Sequence, residues 1–414
     1  MTGVLGAIAD DFTGATDVAV AFRRGGLRTL LFFGVPPETE ELPAHDAVVI
    51  ALKSRSTPVA DAVASSLDAL HRLRDRGTDQ VYFKYCSTFD STPRGNIGPV
   101  LDALSQALQA GTVVTTPSSP AHGRTQYQGH LFVGDTLLAE SPMRDHPATP
   151  MTDSHLPRLL RAQTDTPIAL LTHDVVRRGE STVREAVSQA EGYVLADALT
   201  EDDLRLLGRV VADAPLVAGA AGLAAGLALA RTSTAPPASD IRAPHGQAVV
   251  LSGSCSARTL EQIAVLVRLG RPTHRLDAVG TPDPDDLATA ALAWYDSLNG
   301  AEGPLIYSSL NPADLKRTQE ELGATRSAEV LEKATGLIAL GLAERGVRRL
   351  VAAGGETSGA IVTALGVRGG VIGAEAAPGV PWIHPVDDGQ PALLLKSGNF
   401  GDPGLLATAS EAGS

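Results

Sequence analysis

Short apolar runs alternate with longer stretches of helical spacing along most of the chain. Residues 4–9, 29–34, 47–52, 81–86 and 113–116 are mostly apolar runs that do not alternate with polar positions, the pattern of strands buried on both faces. Between them, residues 14–24, 59–76 and 97–110 repeat apolar positions at helical intervals. This succession predicts parallel βαβ units in a doubly wound sheet. Residues 126–152 break the rhythm with Gly129, Gly134 and several prolines, and predict a loop or hairpin excursion. The pattern resumes at 168–172, 193–196 and 216–219, then stops at 231–246, RTSTAPPASDIRAPHG, which has no periodicity and reads as a linker. A second series follows at 249–252, 273–277, 305–308 and 349–353. The expected fold class is α/β: two doubly wound α/β domains, 1–231 and 247–414, joined by a linker at 232–246, with a ligand cleft between them.

Composition narrows what such a chain can bind. The 34 Lys and Arg against 47 Asp and Glu leave a net charge of −13, which argues against a broad basic face for duplex nucleic acid. Any anionic ligand must be held by a few local cations and backbone amides. Lysine is scarce: only Lys53, Lys84, Lys316, Lys333 and Lys396 occur. Cys86 and Cys255 cannot form a disulfide framework, and a reducing compartment fits them. The start, MTGVLGAIADDF, lacks the basic region of a signal peptide, and the apolar stretch 215–230 falls short of a membrane span. These features predict a cytoplasmic protein with a small-molecule substrate and no membrane or nucleic-acid partner. Homo-oligomerisation is compatible with them.

Several loops carry chemistry. In AIADDFTGATD, a buried strand ends in Asp10 and Asp11, where open α/β sheets present ligand groups. Adjacent residues cannot both cap the following helix, so one carboxylate is expected to cap it. The other, assigned to Asp11 with Asp10 as the alternative, is expected to accept a proton from a hydroxyl. In FKYCSTFDSTPRGNIGP, a strand delivers Lys84 into a loop with Arg94 and Asn96. In SSPAHGRT, His122 and Arg124 flank a glycine, with Arg124 a carboxylate clamp and His122 a reserve base. Arg55 is a weaker candidate of the same kind. Three Gly/Ser loops follow strands in the second half: LSGSCSART with Ser252 and Ser254, AAGGETSGA with Gly354, Gly355, Glu356, Thr357 and Ser358, and LKSGNFGDPG with Gly398. Small-residue loops opening onto helix N-termini can cradle phosphate. None of them is a Walker A or GxGxxG motif.

Together these loops, ADDFTGATD, FKYCSTFDSTPRGNIGP, HGRT, SGSCS, GGETSGA and LKSGNFG, resemble in kind and order the four-carbon acid sugar kinases. The run CSTFDSTPRG is most like the 3-oxo-tetronate branch, in contrast to the Lys-Thr-Asp-Ser-Thr-Leu-Arg-Gly-like run of the threonate and erythronate branches. The resemblance implies phosphoryl transfer from ATP, with Mg²⁺, to the terminal hydroxyl of a four-carbon sugar acid. It places Asp10, Asp11, Arg55, Lys84, Asn96 and Arg124 on the sugar acid in the N-terminal domain. Ser254, Gly354, Gly355, Glu356, Thr357 and Gly398 would face ATP in the C-terminal domain. The residues themselves leave open a D-threonate, L-threonate or D-erythronate kinase, a sugar-acid phosphate lyase or isomerase, and a non-catalytic sensor. The metal ligands cannot be read from the sequence.

Overall fold

The apolar runs of the first half form strands whose residues are almost wholly buried, because helices cover both faces of the sheet they build. The computed structural model describes residues 3–37, 42–146, 149–232, 244–298, 300 and 302–411. It divides into two units, Met1–Ala238 and Ser239–Ser414. In the first unit the strands are β1 (Val4–Ala9), β2 (Thr29–Phe33), β3 (Ala47–Ala51), β4 (Thr78–Lys84), β5 (Thr112–Thr116), β6 (Arg124–Tyr127), β7 (His130–Val133), β8 (Thr136–Leu137), β9 (Ile168–Leu171), β10 (Gly192–Ala196) and β11 (Leu216–Gly219). The main sheet runs β2-β3-β1-β4-β11-β5-β10-β9, and every pairing in it is parallel. From β1 the chain turns to one side for β2 and β3, then crosses back to β4. The strand order therefore reverses between β1 and β4, a topological switch point where such sheets bind ligands.

The irregular stretch after β5 takes the hairpin form of the excursion expected there. Strands β6, β7 and β8 form a separate three-stranded antiparallel sheet, pinned by the wholly buried Asp197. Its carboxylate accepts from the amides of Gln128, Gly129 and His173 at 2.6, 3.0 and 3.0 Å.

The linker expected at 232–246 lies largely outside the described residues. The second unit contains β12 (Ala248–Ser252), β13 (Thr273–Arg275), β14 (Leu305–Tyr307), β15 (Arg349–Ala353), β16 (Gly369–Ala377), β17 (Val380–Pro385) and β18 (Ala392–Lys396). Within the unit they run β13-β14-β12-β15-β18-β17-β16. The first five are parallel, and β17 pairs antiparallel with both β18 and β16. The β16–β17 hairpin is a departure from the expected uniform α/β series. Val250, Leu305, Val351, Trp382, Leu394 and Leu406 belong to the core beneath its loops. No described helix is long and apolar enough to cross a membrane.

Candidate functional site

The first candidate site lies at the carboxyl ends of β1, β3 and β4. The register aligns Ala9 with Lys84, and the Asp10 amide donates to the Lys84 carbonyl at 3.1 Å, so the two motifs meet at the switch point. Arg55, just beyond β3, organises the carboxylates. Its Nε and Nη2 donate to the two oxygens of Asp10 at 2.9 and 2.8 Å, and Nη2 also reaches Asp11 Oδ1 at 2.7 Å. Asp90 lies 4.0 Å from Nη1. A bidentate charged pair of this kind fixes geometry as well as charge. Burial pushes the Asp10 carboxyl up, against the pull of Arg55. Burial also works against the charge of Arg55, but Asp10 and then Asp11 outweigh it and hold the guanidinium more firmly protonated than usual.

Asp11 does two jobs. Its Oδ1 accepts the Gly14 amide at 2.9 Å, so it is the N-cap of helix Phe12–Arg24, a contact worth about 1 kcal/mol. From sequence, one Asp is expected to cap the helix and the other, Asp11 by preference, to accept the proton. The structure puts the cap on Asp11 itself. Both contacts fall on Oδ1, and the side chain is 28% exposed, against 8% for Asp10. Gly14 is needed for close approach: a Cβ there would lie 2.3 Å from Asp11 Oδ1 and 2.6 Å from Lys84 Nζ. The Lys84 ammonium therefore sits against the helix start. It is buried and donates to the Tyr85 carbonyl at 2.8 Å.

The other sequence candidates are placed differently. Asn96 Nδ2 donates to the carbonyls of Ser54 at 2.7 Å and Thr57 at 2.9 Å and so holds the Arg55 loop, while its Oδ1 is buried with no partner. Arg124 bonds the His122 carbonyl, and its Nε is buried without a partner. His122 Nδ1 lies 2.9 Å from Ser119 Oγ. Desolvation, then the charges of Arg124, Arg24 and Lys84, keep that imidazole below its ordinary pKa. Arg94 is exposed on its turn, outside the Arg55 cluster. Cys86 is pushed up to about 11, chiefly by burial, so it stays a thiol.

Asp17 closes the first motif and was assigned no role from sequence. It follows Gly14 by one helical turn, its Oδ1 is buried without a partner, and burial pushes its carboxyl up to about 7. Lys84 is the charge that most opposes that rise. A carboxylate on the buried side of a helix next to a capped strand end was the available signal.

The second candidate site is a cavity of about 630 Å³ in the C-terminal unit, within the range of small-molecule pockets. Gly253, Ser254, Gly354, Gly355, Glu356, Thr357 and Gly398 line it, so the structure brings the three Gly/Ser loops to one wall. Helix Gly355–Ala364 opens there and turns its N-terminal amides toward the cavity, a favourable end for anionic groups. Ser252 and Ser358 lie off the wall. Ser252 is buried in β12 with its Oγ 2.8 Å from Ser309 Oγ, and Ser358 Oγ bonds the Gly354 carbonyl at 2.7 Å. The opposite wall comes from helices Pro312–Leu322 and Ala324–Glu344, through Leu315, Thr318, Leu331 and Thr335. Sequence reasoning missed this wall because its residues follow ordinary helical spacing. A phosphate-bearing nucleotide fits the donor set, which combines amides, hydroxyls and an apolar face. Among the described residues no cluster of three or more His, Cys, Asp or Glu could hold a metal ion.

A family model for a sugar-binding N-terminal domain matches residues 5–227, and one for a nucleotide-binding C-terminal domain matches residues 249–406. A Burkholderia multivorans protein named 3-oxo-tetronate kinase is 46% identical over 407 residues, covering 96% of this chain and 94% of its own. A Salmonella typhimurium protein of the same name is 44% identical over 414 residues, covering 98% of both. Among solved structures, a Salmonella typhimurium chain superposes with a TM-score of 0.91 at 43% identity, and a Haemophilus influenzae chain with 0.86 at 41%, each covering 98% of both chains. With both domain models matched in order and likeness sustained from end to end, the chain belongs to the four-carbon acid sugar kinase family.

Proposed function

We propose that the chain is an ATP-dependent kinase that phosphorylates the terminal hydroxyl of 3-oxo-tetronate, giving the 4-phosphate and ADP. The observation that supports this most strongly is the full-length likeness to relatives named 3-oxo-tetronate kinase. The carboxylate–cation cluster in the sugar-binding unit and the amide-lined cavity in the nucleotide-binding unit are what such a reaction requires. Phosphoryl transfer depends on positioning and charge neutralisation more than on covalent chemistry by the protein. Mg²⁺ brought in on ATP would supply part of that neutralisation.

The chain's residues take the following parts in this reading. Lys84 and Arg124 hold the substrate carboxylate, and Asn96 Oδ1 accepts from a substrate hydroxyl. Arg55, committed to Asp10 and Asp11, positions those carboxylates rather than the substrate. The C4 hydroxyl oxygen bonds the γ-phosphorus as the bond from γ-phosphorus to the bridging oxygen breaks. Asp11, the more accessible of the pair, takes the hydroxyl proton. Ser254, Gly354, Gly355, Glu356, Thr357 and Gly398 surround the phosphates. The test is a coupled ADP-release assay over 3-oxo-tetronate, D-threonate, L-threonate and D-erythronate. The reading expects the highest kcat/KM for the 3-oxo acid, and it fails if one of the others leads or if acid is consumed without nucleotide.

A further inference from the structure

Lys396 is the last residue of β18 and stands at the entrance to one of the three nucleotide loops. It is the natural candidate for a phosphate-binding lysine in a lysine-poor chain. The geometry gives it another task. Its side chain is buried, and Nζ donates to Thr259 Oγ1 at 2.9 Å, the Ser397 carbonyl at 3.1 Å and the Gly398 carbonyl at 2.8 Å. An ammonium has three protons, and these contacts use all of them.

The Gly398 carbonyl oxygen is the focus of the arrangement. Besides Lys396 it accepts from Ser256 Oγ at 2.6 Å and Thr259 Oγ1 at 2.9 Å. Three donors on one carbonyl fix the plane of the peptide joining Gly398 to Asn399. In a trans peptide the N–H points opposite to the C=O, so the Asn399 amide is turned away from the three donors. Gly398 is itself on the cavity wall, and its Cα packs so closely that a Cβ would lie 2.7 Å from Ser254 Oγ. Lys396 also ties a second loop, because the Gly354 amide donates to its carbonyl at 2.9 Å. Lys396 thus joins the Gly354 and Gly398 loops, one through its backbone and one through its ammonium.

We propose that Lys396 is a positioning residue of the nucleotide site: it contacts no phosphate but clamps the Gly398 carbonyl, setting the loop's amides for the phosphate chain and placing a buried positive charge behind them. The inference rests on the kinase reading of the cavity. Burial, and then the charge of Arg258 on helix Ala257–Arg268, lowers the ammonium to about 8. Glu356 and Glu332 are the carboxylates on the cavity wall. A nucleotide's negative charge arriving in front of the loop favours the charged lysine, so binding near pH 8 takes up protons. ATP is already fully ionised there and does not confuse the count.

The test is calorimetry of ATP binding to the full-length chain at pH 8, in two buffers of different ionisation enthalpy, alongside Lys396→Met. The wild type is expected to take up a fraction of a proton on binding. In a folded Lys396→Met variant, ATP affinity should fall at least tenfold and the proton uptake should vanish, while the KM for the sugar acid changes less than threefold. Lys396→Arg should restore charge but not the three-point clamp, and recover only part of the affinity. Unchanged ATP affinity in folded Lys396→Met overturns the inference. If the Met variant does not fold, Lys396→Arg decides: wild-type ATP affinity in that variant overturns the inference. Failure of the wild type to bind ATP at all overturns the kinase reading, and the inference with it.

Discussion

Replacing Arg55 by Met removes the cation at the centre of the N-terminal cluster while keeping most of its volume. Asp10 then loses both of its guanidinium contacts, 2.9 and 2.8 Å long, and Asp11 loses one of 2.7 Å. The Arg55 and Asp10 side chains are 22% and 8% exposed, so water cannot simply replace the lost partner. Breaking a buried pair from one side costs about 3–5 kcal/mol. The partial exposure of Arg55 puts this case at the lower end, about 3 kcal/mol. For a unit of this size that corresponds to a Tm lower by about 6–12 °C. The effect should depend on pH in a particular sense. Burial already raises Asp10, and removing Arg55 removes the largest influences that oppose it. A carboxyl raised in the folded state contributes stability that is complete below its unfolded pKa and is lost as pH rises through its folded pKa. The variant's deficit should therefore be greatest near pH 8 and shrink toward pH 5, where Asp10 can be protonated. Scanning calorimetry of both proteins across that range reads this directly. A Tm change under 2 °C, or a deficit that does not change with pH, would refute the view that Arg55 holds a buried carboxylate in place.

Two further outcomes follow from the same cluster. Asp11→Asn keeps the helix cap, because Asn caps as well as Asp, so Tm should hardly move while kcat falls by about 10²–10⁴; unchanged kcat would place the proton acceptor elsewhere. Asp17→Asn should flatten the stability profile between pH 6 and pH 8. Its carboxyl is raised to about 7, so the wild type loses stability as pH rises through that window and the Asn variant does not, as denaturant titrations at pH 6, 7 and 8 would show.

Much of the fold was legible because buried parallel strands leave continuous apolar runs that need no partner to be recognised. Residues 4–9, for example, form β1 over Val4–Ala9 with the same ends. The antiparallel pieces were legible only in outline. Residues 126–152 read as a loop or hairpin excursion, and β6, β7 and β8, short and half-exposed, did not show their pairing. The β16–β17 hairpin was signalled only by Pro378-Gly379, at its turn. For the site, strand ends could be read but the partners of each side chain could not. Arg55 looked like a substrate clamp until its guanidinium was found between Asp10 and Asp11. Lys396 sits in a Gly/Ser loop that suits an anion, yet its protons go to Thr259, Ser397 and Gly398, which only the structure shows. The helical wall of the nucleotide cavity left no motif, because Leu315, Thr318, Leu331 and Thr335 meet only in three dimensions.

The most direct measurement of the central claim is ³¹P NMR of the chain incubated with Mg²⁺, ATP and 3-oxo-tetronate. The account predicts that ADP and a new phosphomonoester appear in equal amounts. The new resonance should be split into a triplet by the two protons on C4, and it should be absent when either ATP or the acid is withheld. Inorganic phosphate in place of the ester, a doublet from phosphorylation at a secondary hydroxyl, or conversion of the acid without ATP would contradict it.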